Sequence, residues 1–541
     1  MLGTAASLSV FRPNRAEGVS RVSLEGAGVD HEELFAHWRV LARRDAGLAA
    51  AHGATCLGAA PVWLAGGRRL AAELAEAVSR GDRGGLAAVE PEYGAGPGHA
   101  EVLAERVADG YRLTGSTWPL ANATGAQFIT VLARTGRPGD TRGYSLLLVR
   151  RDEQPSPLTE IPSHGLHGAD VSGIDFAGTL VPGSALIGEE GGGVEALLRT
   201  LQLNRSVSSA FSLGAGEHAL RLVAASDALR DPGSPLIEQR FVRSALARCA
   251  GLLAATEACA LLTARSAHCL TGELSVLSAA VKGLTQTVVD TVLAELADLL
   301  ALCAEPSGID VDFQRIRRDH QVLAFLDGST TSARNALIRR FPLLVSGFLH
   351  GKVDRPNLAR AVDLGTKVGP LDRSRITHRS ILGCSAVQSL PELARHLPAE
   401  AGDGSAASAL VRHARELTWL ADELHARCAE VAPGPFPGTG AYDLAAAYEL
   451  LYAGAAVLHL WRSGAVEHDG HGLWHDALWA RVALAELNLR LRHRIGLTVP
   501  PRDDQDERAV EEFADRLIVA TEAGAPLTPF GHHAAPGEEQ P

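Results

Sequence analysis

The chain has 541 residues, enough for three or four domains of ordinary size, and a hydrophobic content of 46% that can fill large cores. Its 51 basic and 63 acidic residues leave a net charge of −12, which argues against nucleic acid or an anionic membrane as the main partner. The seven cysteines, at 56, 249, 259, 269, 303, 384 and 428, are odd in number and form no C-x-x-C pair. They read as reduced, mostly buried thiols, and Cys249, Cys259 and Cys269 recur every ten residues, as on one helix face. No basic segment precedes the short apolar run at the N-terminus, and no apolar run is read as long enough to span a bilayer. The expectation is a cytoplasmic protein with no membrane partner.

Residues 1–87 read as a helical domain after an irregular start. Glu32 to Ala51 and Ala59 to Arg80 carry apolar residues at three- and four-residue spacing. From 88 to 187 the pattern becomes strand-like. Tyr111 to Gly115 alternates, Phe128 to Ala133 and Tyr144 to Val149 are short apolar runs, and Ala108-Asp109-Gly110 and Arg137-Pro138-Gly139-Asp140 are turn signals. Short strands at this spacing suggest a small barrel or sandwich. Residues 188–348 return to helical periodicity, with long amphipathic stretches at Ser206 to Leu229, Leu236 to Leu270, Ser275 to Cys303 and Ser332 to Phe348, the number a four-helix bundle needs. Residues 349–541 read as a linker, further helices (Arg379 to His396, Ser408 to Val431, Asp443 to Ser463, Gly472 to Arg494) and a frayed tail.

Within Arg318 to Thr330, Asp327 is a lone carboxylate on an apolar segment followed by Gly-Ser-Thr, a candidate general base. A helix cap is the plainer alternative, although Ser329 and Thr330 can serve there too. Arg205 is a candidate site residue or the partner of an acid on a neighbouring helix. Gly188 to Gly193 reads as a turn into the bundle, since its two acids would repel phosphate and no lysine follows. His468, His471 and His475 flank Asp469, but Gly470 and Gly472 argue for a loop, and no metal site is expected.

The order helical domain, β domain, four-helix bundle, plus extension, resembles the acyl-CoA dehydrogenase family of flavoproteins over roughly residues 30–345. The resemblance rests on Asp109 to Gly115, Gly165-Leu166-His167-Gly168, Asp175-Phe176, Val181 to Gly188, Gly191 to Gly193, Leu203-Asn204-Arg205, Leu213-Gly214, Ala219-Leu220, and Arg318-Asp319 through Gly328. It implies FAD between the β domain and the bundle. It also implies an acyl-CoA or acyl-carrier-protein thioester as substrate, losing an α-proton to a carboxylate and a β-hydride to the flavin. Electrons would pass to an electron-transfer flavoprotein, and the protein would be a homodimer or tetramer. Asp327 matches the base position, and Asn204 removes the alternative base site beside the arginine. Arg205 matches the active-site arginine, and Arg230 the arginine that reaches the FAD diphosphate of a facing subunit. Trp118, Leu120, Ala121, Asn122 and Ser329 fall at flavin-facing positions.

Several positions depart from the family pattern. The base is an aspartate, one methylene shorter than glutamate, and displacement by about 1 Å can cost on the order of a hundredfold in rate. Trp118-Pro119-Leu120-Ala121-Asn122 stands where the family has Trp-Ile-Thr or Trp-Ile-Ser, so the hydroxyl toward the flavin is missing, a loss of about 0.5–1.5 kcal/mol. Val89 to Gly96 lacks the family's serine, Pro232-Gly233-Ser234 shortens a loop, and Cys303-Ala304 replaces Gly-Gly near the adenosine. Together these weaken FAD binding. Three functions follow from this reading: an acyl-thioester dehydrogenase, a flavin-dependent monooxygenase or other tailoring enzyme on the same fold, and a catalytically silent partner subunit. The extension is expected to support a subunit interface.

Overall fold

The computed structural model describes residues 30–88, 102–137, 140, 142–153, 156–157, 164–167, 169–230, 235–303, 308–323, 325–397, 406–432, 434, 437–463 and 477–530. Three helices come first: α1 (His31–Arg44), α2 (Ala46–Ala65) and α3 (Arg68–Ser79). The Asp30 carboxylate caps α1 by accepting from the N–H groups of Glu32 and Glu33, and Asp45 caps α2 through Leu48 N–H. Phe35, Trp38, Arg39 and Ala42 recur at helical spacing and form the buried face of α1. Trp38 stacks on Phe211 of the bundle with ring centroids 4.7 Å apart.

Eight strands follow: β1 (Gly84–Ala87), β2 (Leu103–Val107), β3 (Gly110–Ala121), β4 (Phe128–Arg134), β5 (Tyr144–Arg150), β6 (Ser156–Pro157), β7 (Val171–Pro182) and β8 (Leu186–Ile187). They form one sheet in the order β6-β7-β3-β2-β4-β5-β8, with β1 added in parallel to β4. Among the described residues the end strands β6 and β8 do not pair with each other, so the sheet is open rather than a closed barrel. The apolar runs of β4 and β5 have a physical cause, since both faces are buried. Ile129, Val131 and Ala133 point into a core within the sheet region, whereas Phe128 and Leu132 point at α2 and α3. Thr130 lies on the helix side and donates to the Gly58 carbonyl of α2 at 2.6 Å.

The bundle is built from α4 (Gly193–Ala224), α5 (Arg240–Cys269), α6 (Leu274–Leu300), α7 (Gly308–Leu323), α8 (Thr330–Ile338) and α9 (Phe341–Leu349). Gly188 and Gly191 adopt positive φ in the turn into α4, as read from the sequence. Two expectations need correction. Residues 308–323 form a helix that the sequence reading left unassigned, because charge interrupts its apolar stripe. The helix expected over 332–348 is divided near Arg339-Arg340, because Pro342 lies in the first turn of α9, where its missing N–H is tolerated. Cys249, Cys259 and Cys269 are all buried and unpaired on α5.

The extension comprises α10 (Arg355–Val362), α11 (Ser385–Gln388), α12 (Leu390–Arg395), α13 (Ala406–Ala429), α14 (Thr439–Arg462), α15 (Leu478–Arg494) and α16 (Asp504–Glu522). The last of these was not anticipated. The extension does not stand apart, since one apolar cluster runs from Phe35 through the bundle to Phe530. The helices α14, α15 and α16 all pack on α5. This explains a further correction. By length and composition, α2, α5, α14 and the stretch Thr271–Leu300 are long and apolar enough to cross a membrane, contrary to the reading of the sequence. Most of each is buried inside the protein, from 61% of the apolar window in α2 to 94% in α5.

One buried ion pair ties the extension to the bundle. Arg334 on α8 donates to both carboxylate oxygens of Glu449 on α14, each at 2.9 Å, and to Thr287 on α6 at 2.7 Å. Glu449 is 1% exposed, and Gly283 makes room for it, since a Cβ there would overlap the carboxylate. Arg334→Met strands a buried carboxylate and is expected to cost about 3–5 kcal/mol in a denaturant titration. The double variant Arg334→Met/Glu449→Leu should recover most of that loss.

Candidate functional site

The loop carrying Asp327 is shaped by its two neighbours. Gly328 has φ of 102°, a left-handed conformation that glycine adopts without strain. Ser329 is the N-cap of α8, its hydroxyl accepting from Ser332 N–H at 3.1 Å. Capping is therefore done by Ser329, which the resemblance had placed beside a cofactor. The turn points Phe325 outward, 66% exposed, and leaves Asp327 2% exposed.

Three elements converge on the Asp327 carboxylate. Asn204 and Ser208, one turn apart on α4, donate to Oδ2 at 3.1 and 2.5 Å. The Lys282 ammonium on α6 lies 2.5 Å from Oδ1. Arg205 turns to the backbone, donating from Nε to the Asp327 carbonyl at 2.9 Å. Lys282 is 3% exposed, so the pair is removed from water on both sides.

Burial alone would push the Asp327 carboxyl up. The charges of Lys282 and Arg205, with contacts from Lys282 and Ser208, outweigh burial and hold it below the ordinary 3.8. A general base working near neutral pH needs the opposite shift and free lone pairs facing substrate. Here both carboxylate oxygens are engaged within the protein, as an anion whose nearest cation is buried with it. The arrangement is suited to fixing the loop against α4 and α6.

Lys282 and Ser208 were missed from sequence. Lys282 did leave a signal, as a lone charge in the apolar run Leu277 to Leu284 of a helix expected to be buried. Nothing in the sequence singled out Ser208. Two motifs singled out separately do meet. Asp319 on α7 accepts from Leu166 N–H at 2.5 Å, and Gly165 passes so close to Arg318 that a Cβ would overlap its carbonyl. The end of the β region is thereby pinned to the helix preceding Asp327.

The positions expected to face FAD are placed as follows. Trp118 is 52% exposed, whereas Leu120 is 1% exposed and belongs to the sheet core. Ala121 pairs with Val171 through the backbone and has no hydroxyl to offer. Asn122, with φ of 66°, donates to Ala51 O at 2.8 Å, Thr55 Oγ1 at 3.2 Å and Gly84 O at 2.9 Å, joining the sheet to α2. Arg230 donates to Glu522 of α16 at 2.6 Å and to Ala224 O at 3.2 Å. Among the described residues, the groups assigned to FAD are thus engaged within the chain, buried in the sheet, or lack the required atom, apart from the exposed Trp118. They do not fit FAD in the manner the resemblance implies. Val89 to Gly96, Gly168, Pro232 to Ser234, Ala304, His468, His471 and His475 lie outside the described residues. No cluster of His, Cys, Asp and Glu suited to a metal occurs among the described ones.

Residues 191–341, which include Asn204, Arg205, Ser208, Lys282 and Asp327, match the family described as "Acyl-CoA dehydrogenase, C-terminal domain". Over this segment the chain is similar to the C-terminal domain of acyl-CoA dehydrogenases. Benzylmalonyl-CoA dehydrogenase of Aromatoleum aromaticum is 31% identical over 240 residues, 43% of this chain and 63% of that protein. Mitochondrial isovaleryl-CoA dehydrogenase of Oryza sativa subsp. japonica is 28% identical over 166 residues, 30% of this chain and 41% of that protein. The chain therefore spans less than two thirds of the length of these curated relatives. A crystal structure of an acyl-CoA dehydrogenase complexed with FAD from Bacillus anthracis superposes with a TM-score of 0.64 at 16% identity, covering 90% of this chain and 84% of that one. That likeness shows the fold: mainly helical, with a small β-sheet region.

The ion pair predicts a stability pattern. Asp327→Asn leaves Lys282 charged and buried without a counter-ion and is expected to cost about 3–5 kcal/mol, whereas Asp327→Asn/Lys282→Met should be much closer to wild type. The folded carboxyl is depressed, so its contribution is full above pH 3.8 and is lost as pH falls through the folded value. The stability gap between wild type and Asp327→Asn should therefore narrow below about pH 4 in denaturant titrations.

Proposed function

We propose that this chain is a member of the acyl-CoA dehydrogenase family that does not dehydrogenate acyl thioesters through Asp327 and acts as a silent partner subunit on the family scaffold. The observation that carries the reading is the buried contact between Lys282 Nζ and Asp327 Oδ1 at 2.5 Å. It is joined by Asn204 and Ser208 on the other oxygen. A carboxylate so held is an anchor for the loop before α8. The engaged positions of Asn122 and Arg230 support the same reading.

The second reading is the oxidation of an acyl thioester at Cα–Cβ, with Asp327 removing the α-proton. FAD, were it held, would accept the β-hydride; the reading is favoured by the convergence of Arg205 and Asp327, both inside the matched family segment, on one buried point between α4 and α6. That chemistry requires Lys282 to release the carboxylate when substrate enters.

A visible absorption spectrum of the purified full chain, with dye-coupled assays on saturated acyl-CoA of several chain lengths, separates the two. The silent-subunit reading expects no acyl-CoA-dependent dye reduction. It fails if wild type turns over acyl-CoA and Asp327→Asn/Lys282→Met, melting like wild type, loses about a hundredfold or more, the range for removal of a working general base.

A further inference from the structure

The linker between α10 and α11, residues 363–384, runs as a strap over the end of α5 and the first half of α4. At its start it is held by Arg265, which is 1% exposed on α5. That guanidinium donates to the carbonyls of Ala361 at 2.8 Å, Arg360 at 3.2 Å, Thr366 at 2.8 Å and Asp363, and pairs with Glu32 of α1. Further along, Arg199 of α4 donates to Arg373 O at 2.8 Å, Gln202 to His378 O at 3.1 Å, and Arg373 to Trp63 O at 2.6 Å. Leu371 and Ile376 of the strap pack with Leu203 of α4, Ala267 of α5 and Leu274 of α6 in a small apolar cluster. Leu203 immediately precedes Asn204 and Arg205, so the strap covers one flank of the helix segment that holds Asp327.

Between the two sets of arginine anchors, the backbone is held at Gly369 by His268 of α5. A carbonyl only accepts and a backbone N–H only donates, so its two bonds fix one state of the imidazole. Nδ1 donates to Gly369 O at 2.9 Å, and Nε2 accepts from the His31 N–H at the start of α1 at 3.1 Å. The ring is therefore neutral with its proton on Nδ1. A second proton lands on Nε2, where it faces the His31 N–H donor to donor and places a charge on a residue that is 6% exposed. The ionisable groups on the elements packed here are Asp30, His31, Glu32 and Glu33 at the start of α1, Arg265 and Cys269 on the same helix, Asp354 and Arg360 of α10, and Asp363 and Lys367 of the strap. Burial comes first and lowers the imidazole below its ordinary 6.5; Asp30 and the Gly369 bond oppose it, and Arg265 adds to it. A depressed value means that the contribution of these bonds is full above pH 6.5 and is lost as pH falls from there through the folded value.

We propose that His268 is a proton-operated latch on this strap. Neutral, it pins Gly369 to the end of α5 and to the start of α1; protonated, it lets residues 367–372 lift and uncovers the Leu203 flank of α4. Arg265 and Arg199 keep their charge and hold the strap on either side, so the motion is that of a short loop. The Lys367–Glu33 pair crosses the same gap at the surface, where such pairs hold little. Glu32, the partner of Arg265, is pushed up from 4.5 by burial, so stronger acid loosens the start of the strap as well. The latch is independent of the role of Asp327, and its output is access to the α4 face beside Asn204 and Arg205.

Two readouts on the purified full chain test this at about pH 7.5 and about pH 5.5, on either side of an ordinary imidazole. Hydrogen exchange resolved to single amides, each rate divided by the intrinsic rate at that pH, follows the His31 N–H. Leu371→Cys, treated with 4,4′-dithiodipyridine and read at that site by mass spectrometry, follows the strap. At the lower pH the His31 amide should exchange about tenfold or more faster, and the introduced thiol should react about tenfold or more faster relative to a free thiol, the scale of one lost hydrogen bond with a buried charge. Buried amides of α14 should change less than about twofold, since the opening is local. His268→Asn keeps a donor for Gly369 and takes up no proton, so both pH differences should fall below about threefold. Its melting temperature reports whether it folds, and His268→Gln takes its place if it does not. Wild-type rates that do not change with pH overturn the proposal. So does the same pH difference in the folded His268 variant, or loss of protection in α14 equal to that at His31.

Discussion

The buried contact between Lys282 and Asp327 is the constraint around which the middle of this protein is arranged. A lysine ammonium or a carboxylate alone at this depth would cost several kcal/mol. Each makes the other tolerable, and Asn204 and Ser208 satisfy the remaining acceptor. The pair fixes α4, α6 and the loop before α8 relative to one another. It also settles which state of the carboxyl is stable: the anion, held below its ordinary range. A proton acceptor poised near neutrality needs an environment that resists the anion, and this one favours it.

The extension reinforces the same region from outside. Two residues after Asp327, Ser329 caps α8, and five residues further along, Arg334 is clamped by Glu449 of α14. Movement of the Asp327 loop therefore disturbs a second buried ion pair. At the far side of the bundle, α16 lies along α5 with ion pairs from Arg240 to Glu507 and Glu511 and from Arg243 to Asp515, and its Glu522 engages Arg230. The arginine that the resemblance assigned to the cofactor of a facing subunit is held by α16 of the same chain. The extension thus shares the bundle's core and engages its polar groups.

The sequence disclosed the architecture well because periodicity reports burial. The doubly buried strands at 128–134 and 144–150 appeared as unbroken apolar runs, and the long helices as three- and four-residue repeats. It disclosed boundaries poorly where local chemistry competes. Pro342 divides one helix, and the charged residues of 308–323 hide another. Of the candidate site, Asp327 and Arg205 were named from the sequence and do come together, because a family pattern preserves spacing along single elements, whereas Asn204 was noted only as leaving no alternative base there. Lys282 and Ser208 were not found. Their roles arise from the packing of α4 and α6 across a sequence gap of more than forty residues, which no local pattern encodes. The inward turns of Leu120 and Asn122 were likewise invisible, since they follow from strand register and from a positive φ at Asn122.

Asp327 began as a carboxylate in the place of a base, and the structure gives it a buried cation as partner. The most direct test is a crystal structure of the full chain soaked with a saturated acyl-CoA, read at this one contact. The account predicts that Lys282 Nζ stays at ion-pair distance from Asp327 Oδ1, near the 2.5 Å seen here, with Asn204 and Ser208 still on Oδ2. A Lys282 displaced from the carboxylate, with Asp327 turned toward the thioester α-carbon, would contradict it.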